Sequence, residues 1–344
     1  MQQLTLTRPD DWHLHLRDGA LLKTTVAASA QVFNRAVVMP NLVPPVTTVE
    51  MALAYRQRIL AALPDGLNFQ PLMALYLTAE TTVEEIKAAA ENPHVIGFKL
   101  YPSGATTNSA AGVKSVEALA PVLEAMQHEQ VPLLVHGEVT DHDIDIFDRE
   151  KVFIDRHLVP ITTRFPQLKL VLEHITTGDA VDFVMAANDN VAATMTPQHL
   201  LMNRNDLLVG GVRPHNYCLP ILKRREHQQR LQQAALSGNV KFFLGTDSAP
   251  HVQANKETAC GCAGCYSAPA ALELYAEFFS QHDALDKLEN FASVFGAAFY
   301  GFERNQEKVT LVRDEWQLPA TLDTADGAIV PYYASEKLQW QIKK

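Results

Sequence analysis

Short apolar runs alternate with amphipathic stretches along most of the chain. Eight apolar, β-branched runs, which are typical of buried strands, occur at 11–16, 36–39, 69–77, 95–101, 131–136, 168–174, 191–195 and 240–247. Segments with apolar residues at three- and four-residue spacing lie between most of them, for example 83–90, 115–127 and 180–187. Because this spacing places apolar side chains on one helical face, the pattern predicts strand and helix in alternation.

The alternation predicts βαβ units around a buried parallel sheet. Eight repeats in 344 residues favour a closed (β/α)₈ TIM barrel over an open doubly wound sheet. The sequence has no Gly-rich phosphate loop and no low-complexity linker, so we expect a single barrel domain over residues 1–344. The stretch 197–238 predicts a large insertion before the eighth strand. The charged tail after Gly301 is expected to wrap the barrel as irregular chain.

The composition and charge of the chain indicate which class of molecule it binds. The net charge of -10 and the lack of a Lys/Arg-rich stretch argue against a nucleic-acid surface and favour a small molecule. The first twelve residues do not resemble a signal peptide, and no segment approaches the roughly 18 uncharged apolar residues of a membrane span. Four cysteines fit a reducing compartment. We therefore expect a cytoplasmic protein that binds neither nucleic acid nor membrane.

Ionisable residues close five of the predicted strands, where the active site of a parallel barrel lies. One buried histidine is more often a hydrogen-bonded structural residue than a ligand. Six such groups together would leave uncompensated charges in an apolar core unless a cation neutralised them. Imidazole nitrogen with carboxylate oxygen is a zinc-type ligand set. The predicted metal cluster comprises His13, His15, Lys99, His136, His174 and Asp247.

Lys99 is the unusual member of this set, because an ammonium group does not bind a cation. A desolvated, neutral lysine amine can add carbon dioxide and become a carbamate whose two oxygens bridge two metals. This is a hypothesis, motivated by a lysine aimed at four histidines. We expect Lys99→Ala to abolish binuclear metal loading unless a short carboxylate is supplied.

The ligand pattern resembles that of the amidohydrolase superfamily: His-x-His on the first strand, Lys on the fourth, His on the fifth and sixth, and Asp on the eighth. Further motifs resemble the short bacterial type (class II) of dihydroorotase. They are PDDWHLHLRDG at 9–19, MPNL at 39–42, GFKLY at 97–101, ATTNS at 105–109, GTDSAPH at 245–251 and CGCAGC at 260–265. Only twelve residues precede His13, too few for the N-terminal β-domain of hydantoinases and the longer dihydroorotases.

The resemblance implies a zinc-dependent, homodimeric enzyme of de novo pyrimidine biosynthesis. Its reaction would be the reversible cyclisation of N-carbamoyl-L-aspartate to L-dihydroorotate plus water. It also implies that a hydroxide and N6-carboxylated Lys99 bridge two Zn²⁺ ions, with the hydroxide as nucleophile and Asp247 as general base and then general acid. One zinc would be held by His13, His15 and Asp247, and the other by His136 and His174.

A small anionic substrate calls for a cation in the pocket. Arg17 follows the first strand, where its planar guanidinium can grip a carboxylate, and Asn41 and His251 can add donors; the family uses all three in this way. Each also has a structural alternative: Arg17 could pair with Asp18, Asn41 could shape a turn, and His251 could be an ordinary loop residue. Their positions at three strand ends favour binding.

The segment 102–112 is rich in Ser, Thr, Gly, Ala and Asn, which predicts a mobile loop. The resemblance implies a lid whose Thr106 and Thr107 hydroxyls close on the substrate; the alternative is an ordinary surface loop. The resemblance also places the backbone around Leu219 and Ala263 in contact with the substrate ring.

Three alternative hypotheses remain, one for the cysteines and two for the function. Cys218, Cys260, Cys262 and Cys265 could form a structural zinc site, although the first spacing in the cluster is tight, or could serve loop packing. A hydantoinase or lactonase would share the metals but lack the acid pocket. A non-catalytic, metal-binding homologue is disfavoured because every expected ligand is present.

Overall fold

The computed structural model describes residues 2–343 and is built around one parallel sheet. Strands β2 to β9 pair in chain order, all in parallel, and form this eight-stranded sheet within the described range. The strands are β1 (Gln3–Thr7), β2 (Asp11–Leu14), β3 (Arg35–Val38), β4 (Gln70–Tyr76), β5 (Val95–Leu100), β6 (Leu133–Val135), β7 (Leu170–Leu172), β8 (Val191–Met195), β9 (Phe242–Leu244), β10 (Lys308–Gln317), β11 (Leu322–Thr324), β12 (Gly327–Ile329) and β13 (Lys337–Ile342).

The sheet closes on itself just beyond its last strand. Asp247 N donates to His13 O at 2.8 Å, and His15 N donates to Ser248 O at 3.0 Å. These bonds join the chain after β9 to the end of β2. The predicted (β/α)₈ TIM barrel is thereby confirmed, and the boundaries of its strands agree with those predicted to within three residues.

Helices follow most of the barrel strands. The helices are α1 (Leu22–Val32), α2 (Val49–Ala61), α3 (Val83–Ala90), α4 (Ala120–His128), α5 (Arg149–Phe153), α6 (Val159–Arg164), α7 (Gly178–Ala186), α8 (Pro197–Leu201), α9 (Arg204–Leu208), α10 (Arg225–Leu236), α11 (Gln253–Lys256), α12 (Ala271–Gln281), α13 (Leu285–Glu289) and α14 (Phe295–Tyr300). The hydroxyls of Thr48, Thr82 and Thr177 cap α2, α3 and α7 by accepting a backbone N–H three residues on. The stretch predicted as an insertion, 197–238, contains α8, α9 and α10.

An apolar layer fills the lower half of the barrel. Inward-facing side chains such as Val37, Leu134 and Phe243 meet Trp12, which stacks on Tyr300 of α14 with ring centroids 4.7 Å apart. A larger apolar layer lies between the strands and the surrounding helices. Because α14 and its aromatic neighbours plug the lower end, polar side chains at the upper strand ends have a rigid floor beneath them.

The tail after Gly301 was predicted to be irregular, and this was wrong. It forms β10, the β11–β12 hairpin and β13, and β10 pairs antiparallel with β1 on one side and β13 on the other. The partner of β10 is the first strand of the chain, which lies about 300 residues away in sequence. Local apolar patterning does not reveal such a pairing. None of the helices in residues 2–343 has the length and apolar character needed to cross a membrane.

Candidate active site

The six predicted metal ligands converge at the upper end of the barrel. His15 Nε2 and His13 Nε2 lie 3.0 Å and 3.4 Å from the same oxygen, Oδ1 of Asp247. The His174 ring lies between the others, with its centroid 5.0 Å from that of His13 and 4.9 Å from that of His136. All of these side chains, and that of Lys99, are buried.

Two of these residues have an uncommon backbone conformation. His174 has φ 42° and Asp247 has φ 44°, both in the left-handed region that L-residues with side chains rarely adopt. In β7, alternation already turns Glu173 inward along with Val171, so an extended chain would send His174 outward. The positive φ brings the imidazole back into the barrel. Such local strain is typical of functional sites.

The protonation states in the site are those that a metal requires. Burial lowers the pKa of His13, His15 and His174, so these imidazoles are neutral at neutral pH. Burial by itself would raise the pKa of Asp247, but the neighbouring His15, His13 and Lys99 side chains outweigh it and lower the pKa to about 2. Asp247 is therefore a carboxylate among neutral imidazoles.

The tautomer of His15 supports the presence of a cation. His15 Nδ1 lies 2.8 Å from Asn41 Oδ1, an acceptor, so Nδ1 carries the proton. In the neutral ring, Nε2 then presents a lone pair to Asp247 Oδ1, and two acceptors face each other at 3.0 Å. A metal ion bound by both atoms would relieve this contact. Ligand atoms of His13, His15 and Asp247 all lie within 4.8 Å of one another, which fits one such ion.

Lys99 is fully buried, and its Nζ has no hydrogen-bond partner among residues 2–343. Burial lowers its pKa to about 8, although Glu173 and Asp247 act in the opposite direction. A pKa near neutrality makes the uncharged amine accessible, as the carbamate hypothesis requires. Nδ1 of His174 also lacks a partner in the described part of the chain. Buried nitrogen lone pairs without a partner are what a bound metal would satisfy.

Arg17 and His251 contact each other beside the predicted metal ligands, and Asn41 contacts one of those ligands, His15. Arg17 Nε donates to Pro250 O at 3.2 Å, and its Nη2 lies 3.1 Å from His251 Nε2. The expected alternative pairing of Arg17 is not what the structure has, because Asp18 pairs with Arg58 instead, at 2.7 Å. The guanidinium is thereby fixed at the rim of the site with no carboxylate partner of its own in residues 2–343.

The predicted lid lies over the site in a closed position. Thr107 Oγ1 donates to Ala263 O at 3.3 Å, and Asn41 Nδ2 donates to Thr107 O at 3.1 Å. Asn108 Nδ2 donates back to Asn41 O at 3.0 Å. Asn41 therefore contacts the lid on one side and His15 on the other. Beneath the lid is a cavity lined by the predicted site residues, including Thr106 and Leu219 but not Lys99 or His251.

The loop that carries the cysteines is organised by a buried lysine. Lys256 Nζ donates to Tyr217 O at 2.8 Å and Gly264 O at 2.7 Å, which ties together the segments around Leu219 and Ala263. Cys218 and Cys265 are buried and Cys260 is exposed. Over residues 2–343, His13, His15 and Asp247 form the one group of three or more ligand residues close enough to hold a metal. The thiolate zinc site is therefore not found there, and the loop-packing alternative is favoured.

Four site residues were missed from sequence. Asp11 accepts from His13 N at 3.1 Å and from Thr246 Oγ1 at 2.6 Å, which clamps the first and last strand ends together. The other three line or adjoin the cavity: Tyr101, Glu138 and Glu173. Tyr101 and Glu138 each follow a predicted ligand by two residues. Residues at this spacing on an extended chain point to the same side, so the sequence could have predicted both.

Comparison with known proteins agrees with this architecture. The sequence model of the amidohydrolase family matches residues 10–310. A dihydroorotase from Idiomarina loihiensis is 79% identical over 343 residues, covering 100% of both chains. The chain belongs to the dihydroorotase family.

Two solved dihydroorotases have nearly the same fold. The Campylobacter jejuni dihydroorotase has a TM-score of 0.91 and 39% identity, and the match covers 99% of this chain and 98% of that one. The Saccharomyces cerevisiae dihydroorotase, solved in complex with 5-fluoroorotic acid, has a TM-score of 0.91 and 34% identity, with 100% and 99% covered. The expected resemblance to short bacterial dihydroorotases is confirmed, and the chain is an enzyme of the cyclic amide hydrolase class.

Proposed function

We propose that this dihydroorotase family member interconverts L-dihydroorotate and N-carbamoyl-L-aspartate at a two-zinc centre, in the pyrimidine biosynthetic pathway. The observation that carries the proposal is the position of Arg17. Its guanidinium lies at the rim of the same buried cavity as the His13, His15 and Asp247 group. A metal-ligand set beside a fixed cation suits a substrate that has both a hydrolysable amide and a carboxylate.

The buried donor set fits two zinc ions. His13, His15 and Asp247 would hold one, His136 and His174 the other, and Lys99, carboxylated on its side-chain nitrogen, would bridge them. When bound, two zinc ions lower the pKa of a shared water toward ~7 and polarise the substrate carbonyl. The neutral imidazoles, the ionised Asp247 and the unpartnered Lys99 amine support this assignment.

Asp247 is the residue proposed to move the proton. Its carboxylate is ionised at neutral pH, since its pKa is about 2, and it lines the cavity. In the hydrolytic direction it accepts the proton of the attacking water. It then donates that proton to the ring nitrogen as the carbon–nitrogen bond breaks, acting first as general base and then as general acid.

The remaining site residues are proposed to bind and enclose the substrate. Arg17, Asn41 and His251 bind its carboxylate, and the backbone of Leu219 and Ala263 contacts the ring. Thr106 and Thr107 hold the lid over the substrate and exclude water. The cavity lining and the hydrogen bonds that already fix Arg17 and Thr107 support these roles.

The test is hydrolysis of L-dihydroorotate by zinc-loaded protein, followed as loss of ultraviolet absorbance, with the zinc content measured in parallel. We expect rapid turnover that disappears in Asp247→Ala. Asp18→Ala is the matched control, because Asp18 is an acidic neighbour of Arg17 that pairs outward with Arg58. If the zinc-loaded protein does not turn over dihydroorotate, the substrate is a different cyclic amide or a lactone.

We also propose that the enzyme is a cytoplasmic homodimer whose barrel and tail sheet form one domain. The low cysteine count supports the compartment, and the family resemblance supports the dimer. Sedimentation equilibrium tests the oligomeric state: a mass near 38.1 kDa instead of twice that value would refute the dimer.

A further inference from the structure

Two buried carboxylates beside the metal centre have no part in the mechanism above. Glu138 and Glu173 are only 2% and 1% exposed. In each, the Oε1 atom has no hydrogen-bond partner within residues 2–343. Burying a carboxylate is costly unless it is paired. Their presence next to proposed metal ligands therefore calls for a function.

Glu138 contacts His136 directly. Its Oε2 lies 2.7 Å from His136 Nε2, and both side chains are buried. When the Glu138 oxygen accepts from the ring at this distance, the proton is on Nε2 of the imidazole. Nδ1 then keeps its lone pair, free for a metal. Glu138 follows His136 by two residues, which brings the two side chains to the same side of the chain.

Glu173 has the corresponding position next to His13. Its Oε2 accepts from Thr194 Oγ1 at 2.5 Å and lies 2.9 Å from His13 Nδ1, although the latter pair is not aligned as a hydrogen bond. The other nitrogen of the ring, Nε2, points to Asp247, 3.4 Å from Oδ1. A proton on Nδ1, facing Glu173, leaves the Nε2 lone pair directed into the site.

We propose that Glu138 and Glu173 are positioning residues, each of which fixes the tautomer and ring orientation of one metal-ligating histidine. Glu138 acts on His136 and Glu173 on His13, so each carboxylate serves a different zinc position. Acceptors behind ligating imidazoles raise metal affinity in this way. The inference rests on the zinc centre proposed above.

The experiment measures zinc affinity rather than turnover. Glu138→Leu and Glu173→Leu remove the acceptor while keeping an apolar side chain of similar size. Glu138→Gln and Glu173→Gln retain an amide oxygen that can accept from the ring. Each purified variant is loaded with zinc and titrated with a competing chelator, and anomalous diffraction at the zinc edge locates the ions that remain.

We expect each leucine variant to bind one of its two zinc ions about 10- to 100-fold more weakly. Glu138→Leu should lose the ion at His136 and His174, and Glu173→Leu the ion at His13, His15 and Asp247. The glutamine variants should recover most of the affinity. Metal-free proteins compared by urea unfolding serve as the control, because a purely structural role, such as the Thr194 hydrogen bond, would lower stability without selecting one zinc.

The inference is overturned if both leucine variants bind two zinc ions as tightly as the wild type, or if each weakens both ions equally. If a leucine variant fails to fold, Glu138→Asp and Glu173→Asp withdraw the acceptor by one methylene and should show the same selectivity, to a smaller degree. Failure of the wild type to bind zinc would instead overturn the proposed function, and this inference with it.

Discussion

Contacts within the protein hold the side chain of Arg17 in place. Its backbone has φ 61°, and its side chain is fixed by Pro250 O and by His251, so little conformational freedom remains to be lost on binding an anion. A lysine at this position would keep the charge but lose the planar, two-donor geometry.

We therefore expect Arg17→Lys to lower kcat/KM for dihydroorotate about 10- to 100-fold, the effect of one charge-assisted hydrogen bond of roughly 1.5–3 kcal/mol. Most of the change should be in KM, with the zinc content unaltered. Steady-state kinetics with a metal assay measure both. Arg58→Lys, in an exposed ion pair, is the control and should behave as wild type. An unchanged KM in Arg17→Lys would show that Arg17 does not bind the substrate.

His199, which is not among the proposed metal ligands, provides a prediction about pH. It is buried, its Nε2 lies 2.9 Å from Pro220 O and its Nδ1 lies 2.7 Å from Thr196 Oγ1. Burial lowers its pKa from 6.5 to about 4. Between those values the unfolded chain binds a proton that the folded chain does not, so stability falls as the pH falls.

The loss due to His199 should reach about 3 kcal/mol at pH 4, given ~1.4 kcal/mol for each pKa unit. His199→Gln removes this titration. Urea unfolding of both proteins from pH 7 to pH 4 should show the free energy of unfolding of the wild type declining more steeply. Parallel curves would mean that His199 is not a buried neutral group.

Residues differ in how far the sequence could predict them. His13, His136 and Asp247 were found because they end apolar strands. His174 was predicted in the same way, but the positive φ that turns its ring inward leaves no mark in side-chain patterning. Asn41 was predicted to bind substrate, and its contacts with His15 and with the loop at 102–112 were not predicted from the sequence. Such contacts depend on loops brought together by the fold.

At the scale of elements, few side-chain hydrogen bonds hold the proposed lid, residues 102–112, against the site. Thr107→Ala removes the hydroxyl that donates to Ala263 O, a hydrogen bond of roughly 1 kcal/mol. We expect kcat/KM to fall about 5- to 10-fold, in rate and apparent affinity together, because the closed state is less populated.

Ser103→Ala is the matched control for the lid. It removes another hydroxyl of the same loop, one that donates to Ala110 O and does not line the cavity. Stopped-flow and steady-state assays should show a lower kcat/KM for Thr107→Ala and an unchanged kcat/KM for Ser103→Ala. If Thr107→Ala has the same rate and affinity as the wild type, 102–112 is an ordinary surface loop.

Barrel strands were predictable because each is buried on both faces and forms a continuous apolar run in the sequence. The tail strands were not predictable in the same way. The burial of β10 varies irregularly from exposed to buried, and its two neighbours are β1 and β13 at opposite ends of the chain. Only the complete fold brings those three strands together.

This sheet links both ends of the molecule to the outside of the barrel. Trp340 of β13 is completely buried in the outer apolar layer, and its backbone N–H donates to Glu277 of α12 at 3.0 Å. The sheet lies outside the barrel interior, where the proposed catalytic groups are. A substitution at Trp340 should therefore change the stability of the protein without changing its catalytic activity.

We expect Trp340→Ala to lower the free energy of unfolding by about 3–5 kcal/mol, the range for removing a buried large aromatic side chain. The urea midpoint should fall, while kcat and KM of the folded enzyme stay as in the wild type. Lys337→Ala, on an exposed residue of the same strand, controls for changes in the strand itself. A drop in kcat without loss of stability would instead show that the tail sheet acts on the active site, and a wild-type midpoint would show that the barrel holds together without it.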